Sequence, residues 1–62
     1  MFEAQLKDYI VTLSSSLGTE EVNVDSYNEP EAVERAQLIY RQNHSGYTDL
    51  YVVHVVEKTW NA

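Results

Sequence analysis

The sequence predicts an α+β domain of the order β-β-α-β, a small three-stranded sheet with one helix packed across a face. Two neighbouring segments near the N-terminus alternate β-prone and polar residues, a capped amphipathic segment follows, and a Val- and Tyr-rich segment lies near the C-terminus. A chain of 62 residues has room for one domain, spanning residues 1–62, and buries only a thin core.

The first two strands are predicted as a hairpin. In residues 7–15, alternate positions carry apolar or aromatic side chains, namely Tyr9, Val11 and Leu13. A turn signal that contains Gly18 follows, and Val22 and Val24 then alternate with polar residues. The second strand is therefore expected to be half-exposed, with its acidic side chains facing solvent.

The helix is predicted to start at an asparagine cap. Asn28 can accept a hydrogen bond from the first turn, Pro30 lies within that turn, and Glu31 follows the cap by three residues. The helix should end near Gln42. Its expected buried stripe contains the positions spaced by three and four residues: Ala32, Val33, Ala36, Ile39, Tyr40 and Asn43. Leu38 lies outside this stripe.

The last strand is predicted over residues 48–58 and is apolar on both sides. Strict alternation would place Leu50, Val52, His54 and Val56 on one face and Tyr51, Val53 and Val55 on the other. One helix covers only one face of a sheet, so the second face is expected to need another cover. The alternatives are Phe2 and Leu6 of the N-terminus, a second subunit, or a partner.

The net charge of −6 comes from one segment. Residues 20–34 contain six acids and no base, whereas acids and bases balance in the rest of the chain. Direct binding to nucleic acid is therefore not expected, since a basic surface is required for it. The acidic segment instead favours either a basic partner surface or an ordinary solvated face that maintains solubility.

The sequence contains few of the residues that form metal sites, catalytic sites or phosphate-binding loops. The chain has no cysteine and two glycines, and neither His44 nor His54 belongs to a metal or catalytic motif. We therefore expect no enzyme activity, no metal and no cofactor. The sequence also lacks a signal peptide and a membrane-spanning apolar stretch, which predicts a soluble, cytoplasmic protein with no membrane partner.

Several side chains are candidates for binding another protein. Leu38 is expected to be exposed on the polar side of the helix, and exposed aromatic side chains often anchor interfaces. The aromatic candidates are Tyr27, Tyr47, Tyr51 and Trp60, whereas Tyr40 is expected in the core.

The chain resembles the small host-takeover proteins of bacteriophages, and among them the RNA polymerase inhibitor of the short-tailed coliphages. The resemblance rests on residues 8–12, the acidic second strand, and residues 26–40, with coincident positions at Glu31-Ala32, Ala36 and Tyr40. It implies binding to bacterial polymerase through an acidic patch, which Glu20 and Glu21 would supply, and through arginines on the last strand. The matching residues 52–57 contain no arginine, and His54 is their only partly basic side chain.

We therefore expect a stoichiometric inhibitor of a host nucleic-acid machine, with RNA polymerase and transcription as the first target. One alternative is an anti-defence protein that mimics DNA in a CRISPR or restriction complex, and another is a structural homodimer or virion component. The expected partner-binding residues are Glu20, Glu21, Asp25, Tyr27, Glu31, Glu34, Leu38 and His54.

Overall fold

The computed structural model describes residues 5–58 and confirms the predicted β-β-α-β fold. Its elements are β1 (Lys7–Ser15), β2 (Gly18–Ser26), α1 (Glu29–Asn43) and β3 (Tyr51–Lys58). The three strands form one antiparallel sheet in the order β2-β1-β3. The helix ends one residue later than predicted and the last strand begins three residues later. Within residues 5–58, no helix has the length and apolar character needed to cross a bilayer.

The β1–β2 hairpin is regular along its whole length. Its register runs without a bulge from the Lys7–Ser26 pair to the Ser15–Gly18 pair. Gly18 has a φ of 122°, a backbone conformation that residues other than glycine rarely adopt. The turn is also anchored to the loop before β3, because Ser16 N donates to the carbonyl oxygen of Thr48 at 2.9 Å.

The core lies between α1 and one face of the sheet. Alternate residues of β1 and β2 point towards the helix, whose small Ala32 and Ala36 side chains allow a close approach. The hydroxyl groups of Tyr40 and Ser15 lie 2.5 Å apart, so the buried phenol has a hydrogen-bond partner. The buried apolar residues are Tyr9, Val11, Leu13, Val22, Val24, Ala32, Ala36 and Tyr40.

The predicted buried stripe of the helix was too wide. Ala32, Ala36 and Tyr40 are buried, but Val33 is only half-buried, and Ile39 and Asn43 are exposed. The helix packs mainly over β2 and β1. Because β2 is the edge of the sheet formed by residues 5–58, none of the described strands lies beyond it to cover a side chain on the flank of the helix.

The prediction of two apolar faces on β3 was wrong, because a bulge interrupts the alternation. The pairing of β1 with β3 shifts between Thr12 and Leu13, where Val53 is the extra residue of β3. As a result, Val52 and Val55 face the helix. The face away from the helix, called the open face below, receives Tyr51, His54, Val56 and Lys58 from β3.

The open face is largely polar, so it does not need the cover that the sequence led us to expect. The central strand contributes Asp8, Thr12 and Ser14 to this face, with Ile10 as its one apolar side chain there. A polar open face is common in antiparallel sheets. Of the proposed N-terminal cover, Leu6 is exposed, and Phe2 lies outside the described residues.

Candidate protein-docking surface

The acidic segment does not form one continuous surface. Adjacent residues of a strand face opposite sides, and Glu20 pairs with Leu13 on the helix side while Glu21 pairs with Thr12 on the open face. Asp25 shares the open face with Glu21. The six acids of residues 20–34 therefore have different surroundings.

Glu20 is engaged within the chain. Its Oε1 lies 3.0 Å from Nε2 of His44, the residue that caps the end of α1. The His44 ring also packs on Tyr40, with 4.3 Å between ring centroids. The contact connects the start of β2 to the end of the helix, so this carboxylate has a structural partner that the sequence pattern does not reveal.

Glu31 is part of the helix cap. Its backbone N–H donates to Oδ1 of Asn28 at 2.9 Å, as the sequence predicts. Its carboxylate Oε1 accepts from the Ser26 hydroxyl at 2.7 Å and from Tyr27 N at 3.2 Å. Ser26 is fully buried, so this bond satisfies a polar group in the core. Ser26 was not among the predicted site residues, since a serine at a strand end is usually a surface residue.

The cap makes the stability of the fold depend on pH. Hydrogen bonds from Ser26 and Tyr27 hold the pKa of the Glu31 carboxyl below its ordinary value, with a smaller contribution from Arg35. The pKa of a glutamate in the unfolded chain is about 4.3. Because the pKa of Glu31 is lower than this in the folded protein, its carboxylate stabilises the fold fully above the unfolded pKa. That stabilisation is lost as the pH falls through the folded pKa.

Glu31→Gln should therefore remove part of the acid dependence of stability. We expect the free energy of unfolding to fall less steeply below about pH 5 in this variant than in the wild type. Urea denaturation at a series of pH values measures this, with Glu34→Gln as the control on an exposed carboxylate of the same helix. Parallel curves for Glu31→Gln and the wild type would contradict the assignment.

The remaining acids are exposed and available. Within residues 5–58, Glu21, Asp25, Glu29 and Glu34 form no salt bridge. Glu21 and Asp25, which project from the open face of the sheet-edge strand β2, are called the acidic edge below. Four residues along a strand separate them by about 13 Å.

A shallow groove lies beside the acidic edge, between α1 and β2. Its apolar part consists of Val24, Leu38 and Ile39. Leu38 is 55% exposed and Ile39 is 36% exposed, so both offer apolar surface to a partner. The exposure of Leu38 confirms the prediction. Ile39 was missed because its helical spacing is that of a core residue. The polar lining comprises Asp25, Arg35 and Gln42.

The aromatic candidates occupy different places. Tyr27, between β2 and α1, and Tyr51, on the open face, are exposed as expected. The prediction for Tyr47 was wrong: it is half-buried, with its ring edge against Tyr40 at 5.0 Å between centroids, because the loop before β3 folds over the helix end. Trp60 lies outside the described residues.

His54 lies on the open face but apart from the acidic edge. It pairs with Thr12, whose other neighbour is Glu21, so the central strand separates the imidazole from the carboxylate. Two strand spacings place their backbones about 10 Å apart. The structure therefore groups Glu21 and Asp25 with Leu38 near one edge of the sheet and leaves His54 on the strand at the other edge.

Residues 5–58 contain no group of three or more His, Asp or Glu side chains placed to hold a metal ion. The hydroxyl of Ser15 is hydrogen-bonded to Tyr40 and to Leu17 N. The acidic edge with its adjoining groove is the candidate surface for binding another protein. Comparison of the chain with protein-family models, with curated proteins and with solved structures finds no match.

Proposed function

We propose that the protein is a stoichiometric inhibitor that binds a basic, nucleic-acid-binding surface of a host protein, with bacterial RNA polymerase as the target. It acts in the host cytoplasm, and it requires no cofactor and no direct contact with nucleic acid. By occupying the basic surface, it prevents the polymerase from engaging DNA and blocks transcription.

The observation that carries the proposal is that acids without a salt bridge lie beside an apolar groove at one edge of the fold. Glu21 and Asp25 form no salt bridge within residues 5–58, and exposed Leu38 lies in the groove that Asp25 also lines. Acids on the approaching surface accelerate association with a basic partner, and a buried apolar anchor slows dissociation. An acidic face kept only for solubility has no need of an adjoining apolar groove.

The choice of polymerase follows from the resemblance to the coliphage inhibitor. The coincident positions have structural roles in this fold, since Glu31 caps the helix and Ala32, Ala36 and Tyr40 lie in the core. They support a shared architecture. The negative charge on β2 supports binding to the same kind of basic surface. On the last strand, where the inhibitor carries arginines, this chain has His54.

Capture of host proteins by the tagged chain tests the proposal. We expect RNA polymerase subunits to be recovered from bacterial lysate at about 50 mM salt and to be lost at about 500 mM, because screening shortens the range of the attraction. Mass spectrometry identifies the bound proteins. Recovery of a CRISPR or restriction complex instead of polymerase would replace this proposal with the anti-defence function. Recovery of the chain alone would favour the homodimer.

A further inference from the structure

The outer side of β2 is an open strand edge. β2 pairs with β1 over nine residues without a bulge, and no other strand within residues 5–58 lies against its outer side. Natural proteins commonly protect such edges with bulges, with charged side chains or by covering them, and β2 carries the charges of the acidic edge but no bulge. β3, at the opposite edge, does carry a bulge at Val53. The regular edge of β2 therefore offers a template on which an extended segment can add.

The two sides of this edge differ in chemistry. On the helix side, an added strand would meet Leu38 and Ile39 in the groove. On the open side, it would meet Glu21, Asn23 and Asp25 at every second position. Side chains of a strand alternate between the two faces, so an added strand has one set of side chains for each environment.

These surroundings specify the sequence of the occupant. Its helix-side residues should be apolar, and its open-side residues should be basic, with cations spaced by two or four positions to face the acidic edge. A second copy of this chain does not fit. Its only Lys and Arg residues are Lys7, Arg35, Arg41 and Lys58, and no two of them are separated by two or four positions.

We propose that β2 is a docking edge on which an extended segment of the partner, alternately apolar and basic, adds as a fourth strand. This inference rests on the proposed function and names the element of the target that the site recognises. Main-chain hydrogen bonds along β2 contribute affinity, and the groove and the acidic edge select the side chains.

Four synthetic peptides test the proposal against the full chain. The first alternates lysine and valine over seven residues, and the second has the same composition in separate lysine and valine blocks. The third and fourth repeat the first peptide with backbone N-methyl groups on alternate residues, the third at the odd-numbered and the fourth at the even-numbered positions. By fluorescence anisotropy, we expect the alternating peptide to bind about tenfold more tightly than the block peptide. One N-methyl phase should abolish binding and the other should leave it intact, because only alternate N–H groups face β2.

A matched pair of variants locates the contact. Leu38→Gln should weaken binding of the alternating peptide about tenfold, whereas Leu17→Gln should not change it. Both leucines are exposed to a similar degree, 55% and 57%, so neither substitution disturbs the core. Equal affinity for the alternating and block peptides, or binding by both N-methyl phases, would overturn strand addition and leave charge alone as the cause of binding.

Amide hydrogen exchange of the chain with purified polymerase separates this inference from the proposed function. Slower exchange at β2 in the complex supports both. If polymerase binds while exchange at β2 is unchanged, strand addition is overturned and the polymerase proposal stands. If the alternating peptide slows exchange at β2 but polymerase does not bind, the docking edge stands and the choice of target is wrong.

Discussion

Leu13→Ala is expected to unfold much of the protein at room temperature. Leu13 is fully buried on the central strand, with α1 covering it, and removing a buried leucine side chain costs about 2–5 kcal/mol. A domain of this length has a total stability of about 3–9 kcal/mol, so the loss is a large part of the whole. Urea denaturation followed by circular dichroism measures the change in the free energy of unfolding.

Leu38→Ala provides the control for this prediction. The same atoms are removed from a side chain that is 55% exposed, so the stability should change by less than about 0.5 kcal/mol. Equal destabilisation by the two substitutions would mean that the core does not lie between α1 and the β1–β2 hairpin as described.

Reversing the charge of the acidic edge is expected to have the largest effect on binding. Glu21→Lys combined with Asp25→Lys places two cations where the basic partner surface would approach. At low salt we expect the association rate with polymerase to fall by at least about tenfold, because steering depends on the local charge. Stopped-flow or surface-based kinetics measures the rate.

A double variant at the other edge separates local from overall charge. Asp49→Lys with Glu57→Lys makes the same change in net charge in and just before β3, which the central strand β1 separates from β2. The Glu57 substitution also removes the 4.0 Å ion pair of Glu57 with Lys7, so the folded state of this variant is checked by circular dichroism. Its association rate should remain within about threefold of the wild type. If both double variants slow association equally, net charge rather than the acidic edge governs binding.

Local patterns predicted the elements of this fold well. The alternation in β1 and β2 and the Asn28 cap with Pro30 and Glu31 each have a local physical cause, so they can be identified without tertiary contacts. The bulge at Val53 could not be predicted, because it arises from pairing with β1 and leaves no mark in the composition of β3. That one extra residue changed which side chains of β3 face the helix.

The candidate site was predicted in part. Exposure of Leu38 followed from its helical angle, and the acids of β2 followed from alternation. The sequence could not show that Glu20 meets His44 or that Glu31 satisfies buried Ser26, since both contacts depend on how α1 folds back on β2. The exposure of Ile39 depends on strand order, which places β2 at the edge.

Inhibition of RNA polymerase is best measured as transcription by the purified bacterial enzyme, titrated with the wild-type chain at low salt. We expect promoter-dependent RNA synthesis to stop near one equivalent of the wild-type protein, and most of it to persist with the same concentration of the Glu21→Lys/Asp25→Lys variant. Undiminished RNA synthesis at a large excess of the wild-type protein would show that the protein is not a polymerase inhibitor.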